Sequence, residues 1–195
     1  MRKIILTLLI LPFFTYAQVY QTIKPLEELG GPEYQVYYKD MNNVLNGFEG
    51  VYEYNGPNFY FKMELKKIFS NLNYFCKDAI IGKYQYIRDG VDINYMNDNL
   101  TGVTTEAGAK IKFSWIRKSM PPVFCPQCLP EKWLAGHISD PVTHKTAWLY
   151  MAKRTIGGQQ GIQVWFHLEA STQQPWESDD PIQLPISEFF MAKIQ

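Results

Sequence analysis

Between residues 59 and 66 the chain alternates strictly. Phe59, Phe61, Met63 and Leu65 interleave with Tyr60, Lys62, Glu64 and Lys66. Side chains along a β-strand point to opposite faces with a period of two, so this stretch reads as a strand with one apolar and one mixed face. The pattern recurs where Ile162, Val164, Phe166 and Leu168 interleave with Gln163, Trp165, His167 and Glu169. It recurs again where Ala147, Leu149 and Met151 stand against Trp148 and Tyr150. In residues 110–118, Ile111, Phe113 and Trp115 are expected on one face. A chain written this way can bury its apolar face only as sheet.

Turn residues punctuate these runs. Asn55-Gly56-Pro57-Asn58 separates "GVYEY" from the Phe59 run, and Asp89-Gly90 precedes the strand expected over 91–96. Asn, Asp and Gly tolerate the positive φ that tight hairpins need. Gly82 is expected at a kink or bulge between runs 74–81 and 83–87. The polar "NDNLTG", the stretch Pro141–His144 and Gly157-Gly158 mark further turns. A short strand is expected at 137–140, and "LPISEFFMAKIQ" supplies a last one. Turns at intervals of about 8 to 12 residues indicate an antiparallel sandwich or barrel. One short helix is expected over Asp40–Asn46, with Asp40 as its N-cap and Gly47 just past its end. The fold class is therefore all-β: an antiparallel meander forming a calycin-like barrel or a sandwich, with one short helix before the main strands. A barrel would have its mouth plugged by the leading segment and could enclose a pocket.

The chain opens MRKIILTLLILPFFTYAQ. Arg2 and Lys3 precede an apolar run from Ile4 to Phe14, and Thr15-Tyr16-Ala17 is a small-x-small cleavage pattern; together they read as a signal peptide over 1–17. The run is shorter than the about 20 residues that span a bilayer. Gln18 stands where a lipoprotein needs cysteine. An exported chain, periplasmic or secreted and without a transmembrane segment after cleavage, is the expectation. Residues 18–39, with Gly30-Gly31-Pro32, read as an N-terminal arm, and 40–195 as a single β domain. Removing Arg2 and Lys3 from the 19 basic residues leaves 17 against 19 acidic ones. That balance argues against nucleic-acid binding, which needs a basic face.

Export makes disulfides the default for Cys76, Cys125 and Cys128. One bridge is possible, and spacing does not choose the pair. Zinc on Cys125, Cys128, His137 and His144 is the metal alternative, but six residues part the histidines, wider than a usual zinc pair. Prolines at 121, 122, 126 and 130 make the segment an irregular loop, unlike the helix N-terminus that activates a redox cysteine.

The stretches "DMNNVLNGFEGVYEYNGPNFYFKMELKK" and "YFCKDAIIGKYQYIRDGV" resemble a family of exported Gram-negative proteins, Domain of Unknown Function 6705. The matching positions are Asn42, Asn43, Leu45, Phe48, Gly50 and Tyr52, then an Ile-Gly-x-Tyr hairpin and a C-terminal strand ending in Lys-Ile. The resemblance implies export and a β-rich domain and supplies no site residues. Phe48-x-Gly50-x-Tyr52 is also similar to the Gly-x-Trp first strand of lipocalins, with Tyr where that family has Trp.

No nucleophile elbow, zinc-binding helix or phosphate loop is written in the chain, and no motif demands a cofactor. Glu169, Glu177, Asp179 and Asp180 are the carboxylates on which a hydrolase reading would rest. Aromatic residues are the stronger lead. Tyr52, Tyr54, Trp148, Trp165 and Trp176 could form a platform or pocket for a glycan or small apolar ligand, or a contact for a cell-surface partner; Tyr60 and Tyr150 accompany them. The competing reading places them in ordinary core and cross-strand packing, in a purely structural or interaction protein with no pocket.

Overall fold

A computed structural model describes residues 22–94, 100, 103, 105–117, 125–128, 132–168 and 180–195. The expected signal peptide, Trp176 and three of the four candidate carboxylates, Glu169, Glu177 and Asp179, lie outside the described residues. Strands make up 58% of the described residues. In chain order they are β1 (Thr22–Pro25), β2 (Val36–Lys39), β3 (Gly50–Asn55), β4 (Phe59–Asn71), β5 (Cys76–Arg88), β6 (Val91–Asn94), β7 (Ile111–Arg117), β8 (Trp133–Ser139), β9 (Thr146–Ile156), β10 (Gln159–His167) and β11 (Glu188–Lys193). Eight of them run β5-β4-β3-β11-β10-β9-β8-β7 and close as an antiparallel barrel when β7 pairs back onto β5. The barrel form is thus the one adopted.

The β4–β5 hairpin is its longest ladder, in register from Phe59↔Arg88 to Asn71↔Cys76. Gly82 does not break β5 in two. A Cβ there would lie 2.7 Å from Leu65 Cδ2, 2.9 Å from the Glu64 carbonyl and 3.1 Å from Ile111 Cβ. The missing side chain lets β4, β5 and β7 approach one another, and barrel closure pairs Gly82 with Ile111. The other edge of β5 is shared along its length. It takes β2 in parallel at Cys76 and Lys77, β7 at Ile80–Gly82, and β6 at Tyr86–Arg88. Asp89 and Gly90 both have positive φ, as a two-residue hairpin with the sheet's twist requires.

The expected helix is displaced. Asn43 adopts a left-handed backbone (φ 51°), which stops an α-helix from running on from Asp40. A 3-10 turn forms instead at Leu45–Phe48. Its N-cap is Val44 and not Asp40, but the Asp40 carboxylate still satisfies the turn's leading amides, Oδ1 accepting from Val44 (2.8 Å) and Oδ2 from Leu45 (2.9 Å). The Lys67 ammonium donates to the same Oδ2 at 3.0 Å. The neighbouring Asp78 accepts from the Tyr37 hydroxyl and the Asp40 amide, fastening the arm to β5.

The inward face of each barrel strand fills the interior. Phe61 stacks on Tyr84 (5.2 Å between centroids) and meets Phe166 edge-on (5.4 Å). Phe166 in turn stacks on Phe189. Met63, Leu65, Leu149, Met151, Val164 and Met191 join them in one buried cluster. Leu26, from a 3-10 turn at Leu26–Glu28, and Leu45 and Phe48 are buried in that cluster too. These rings occupy the interior in which an enclosed pocket was conceivable from strand number alone.

Candidate functional site

Filling the inside with every second residue leaves the alternate residues on the outside, and on β7 to β10 several of these are aromatic. His137 on β8 pairs in register with Trp148 on β9, their rings 4.1 Å apart. Trp115 on β7 meets both, at 5.7 Å from His137 and 5.6 Å from Trp148. Trp148 stacks with Tyr150 two residues along β9 (5.9 Å), and Tyr150 stacks with Trp165, opposite it on β10 (5.3 Å). His167 flanks Trp165 at 5.2 Å, and Trp133 flanks Tyr150 at 5.7 Å. The result is a continuous aromatic band across four strands. Trp115, Trp148, Tyr150 and Trp165 are all half-buried, while His167 is exposed. Ring pairs of this kind contribute about 0.5–1.5 kcal/mol beyond their area.

Trp115 reaches the band through a bulge. Phe113 pairs with Gly136 and Trp115 with Ala135, leaving Ser114 as the extra residue. The shift turns Trp115 outward and Ile116 inward, so Ile111, Phe113 and Trp115 do not share a face as the simple alternation suggested. Gly136 opposite the bulge has no room for a side chain, since a Cβ there would lie 2.2 Å from the Lys112 carbonyl.

The "CPQC" loop lies against one part of this band. Cys125 and Cys128 are at disulfide distance, with Cα atoms 5.3 Å apart, and the Cys128 amide donates to the Cys125 carbonyl at 3.0 Å. Both sulfurs are buried in a cluster with Ala152, against which Trp133, Tyr150 and Trp165 pack. With its amide oxygen turned to Arg154, Gln127 accepts from that guanidinium at 3.1 and 3.2 Å. Arg154 also donates to Gln163 Oε1 at 2.7 Å, tying the loop to β10. Cys76 is buried on β5, outside the Cys125–Cys128 pair.

The sequence candidates are separated by the fold. Trp148 and Trp165 lie in the outer band, linked through Tyr150. Tyr52 is inward and fully buried, its hydroxyl pKa pushed up by burial and by the nearby Glu49 carboxylate. Tyr54 lies against Phe59 and Phe189 at the edge of the core. Trp115, Trp133 and His137 are band members that periodicity did not single out; the signal was present in the outward positions of β8 and in the Ser114–Gly136 bulge. His144 sits in the β8–β9 turn with a positive φ, apart from His137 in the band. Among the described residues no group of three or more His, Cys, Asp or Glu is placed to hold a metal, and Cys125 and Cys128 are bonded to each other. Asp140 is occupied locally, accepting from Thr143 Oγ1 and from the Val142 and Gln183 amides.

Among the described residues no helix is long and apolar enough to cross a membrane. No curated protein and no solved structure matches the chain. A family model does match it, over residues 1–193, and by that match the chain belongs to DUF6705, a family of unknown function.

Proposed function

We propose that the chain is an exported, non-enzymatic binding domain whose outer aromatic band takes a glycan. The observation that carries this reading is the continuity of Trp115, Trp148, Tyr150 and Trp165 across β7 to β10 on the outside of a barrel whose described inward residues pack into one buried cluster. Flat rings stack on the apolar faces of sugars, and indole N–H, phenol and imidazole groups supply the polar handles that sugar hydroxyls need. The seated disulfide loop and the Arg154 clamp hold part of the band in place, which lowers the ordering cost of binding. His137 and His167 border the band and serve here as hydrogen-bonding partners.

The test is calorimetric titration of the mature chain with a panel of neutral oligosaccharides, repeated with Trp148→Ala and Trp165→Ala. Saturable binding to one panel member, weakened at least tenfold by each variant, supports the reading. Binding that both variants leave unchanged would place the site elsewhere. Export is tested separately by the intact mass of protein recovered from the periplasm or medium, which should begin at Gln18.

A further inference from the structure

The tripeptide Met-Ala-Lys occurs twice in the chain, at Met151-Ala152-Lys153 and Met191-Ala192-Lys193. The fold gives this recurrence a meaning. The first copy lies on β9 and the second on β11, the two strands that flank β10. Ile162 of β10 pairs with Lys153 on one side and with Met191 on the other, so the two copies are staggered by one inward step along the barrel. On both strands the inward series is apolar until it ends in lysine: Leu149, Met151, Lys153 and Phe189, Met191, Lys193. Both lysines therefore emerge at the same mouth, where a hollow of about 350 Å³ is lined by Gly47, Tyr52, Lys153, Arg154, Gln160 and Lys193.

Each ammonium is held over a ring. Lys153 Nζ lies 5.2 Å from the centroid of Phe48, and Lys193 Nζ lies 5.7 Å from that of Tyr52. Lys193 also donates to the Glu49 carbonyl at 2.7 Å. A Cβ on Gly47 would lie 1.9 Å from Lys153 Nζ, so the glycine makes the space in which that ammonium rests. Among the described residues neither lysine is ion-paired. The Glu49 carboxylate is turned to the Lys67 amide (2.8 Å), and the Arg154 guanidinium is engaged with Gln163. Two ammoniums thus border one hollow whose lining residues include no carboxylate. Like charges gathered this way repel one another, and an anion between them removes that cost.

We propose that this mouth binds a small anionic ligand bearing a phosphate or carboxylate group, held between the ammoniums of Lys153 and Lys193. The hollow falls within the size range of small-molecule sites. Gln160 adds an amide that can hydrogen-bond an oxyanion or a neighbouring hydroxyl. The site shares only Arg154 with the surroundings of the aromatic band and does not depend on the glycan reading.

The experiment is isothermal titration of the mature chain, in low-salt buffer free of polyvalent anions, with inorganic phosphate in one arm and succinate in the other. Binding in either arm that falls at least tenfold in Lys153→Met and Lys193→Met is the expected result, and the arm that binds identifies the oxyanion class. Gly47→Ala is a further variant with an intact charge count; it displaces the Lys153 ammonium and should also weaken binding. Lys153 makes no hydrogen bond among the described residues, so Lys153→Met and Gly47→Ala decide the matter even if Lys193→Met does not fold. Absence of binding in both arms, or binding that folded Lys153→Met and Gly47→Ala leave unchanged, would overturn the proposal.

Discussion

Tyr150 and Trp165 stand opposite each other on β9 and β10, in register, with ring planes 30° apart and centroids at 5.3 Å. The same two rings pack against the buried cluster of Cys125, Cys128 and Ala152. One pair of residues thus joins the outer band to the bridged loop beside it. The chemistry proposed for the band therefore depends on the seating of the loop.

Removing the bridge tests that dependence. A Cys125→Ser/Cys128→Ser double variant should lose about 2 kcal/mol in the chain-entropy model for so short a loop. Tryptophan emission should change as Trp133 and Trp165 lose their cover. Chemical denaturation and fluorescence on the same samples check both. An unchanged spectrum with unchanged stability would mean the loop does not support the band.

The interior is expected to be unforgiving. Phe61 is fully buried between Tyr84, Phe166 and Phe189. Phe61→Ala should cost about 3–5 kcal/mol, the usual range for emptying an aromatic core site. A loss under about 1 kcal/mol in urea denaturation would contradict the inward placement of this residue.

Closure of the barrel at Gly82 can be probed in the same way. A methyl group there collides with the Glu64 carbonyl at 2.9 Å and with the Leu65 side chain. The backbone contact cannot give without moving β4. Gly82→Ala should therefore destabilise by about 1–3 kcal/mol, as overpacking does. Thermal unfolding of the variant, compared with an exposed control such as Gly31→Ala, isolates the effect.

The arm carries a pH signature. Burial alone would raise the pKa of Glu27, but hydrogen bonds from Lys132 and Asn42 outweigh it and lower it from 4.5 to about 2. A carboxyl whose folded pKa is depressed gives stability that is fully present above the unfolded value. That stability is lost as pH falls through the folded value. The wild-type chain should weaken between about pH 4.5 and pH 2. Glu27→Gln should start less stable and show a flatter acid limb. Parallel acid limbs for the two proteins, followed by circular dichroism, would show that the ion pair does not anchor the arm.

The barrel was legible because its evidence is local and repeated. Period-two runs, Asn-Gly and Asp-Gly turns, and the apolar face of 59–66 each fix a strand or a hairpin from neighbouring residues. What periodicity could not carry was long-range or irregular. The parallel attachment of β2 to β5 depends on partners far apart in the chain. The Ser114 bulge reverses the face of Trp115, and nothing in residues 110–118 alone forces it. Asn43 displaces the helix because one left-handed residue outweighs a good cap. Of the candidate site, Trp148 and Trp165 were visible as outward aromatics. Their union with Trp115 and His137 required the β7–β8–β9 pairing, and Tyr52 and Tyr54 turn inward because "GVYEY" faces the core through those two residues.

The most direct test of the central claim is nuclear magnetic resonance of the indole N–H groups during titration with the oligosaccharide panel. The account predicts that one sugar shifts the Trp148 and Trp165 signals saturably and with a single affinity, assigned through Trp148→Phe and Trp165→Phe. A sugar that binds by calorimetry while both indole signals stay fixed, or a panel in which no member moves them, would contradict it.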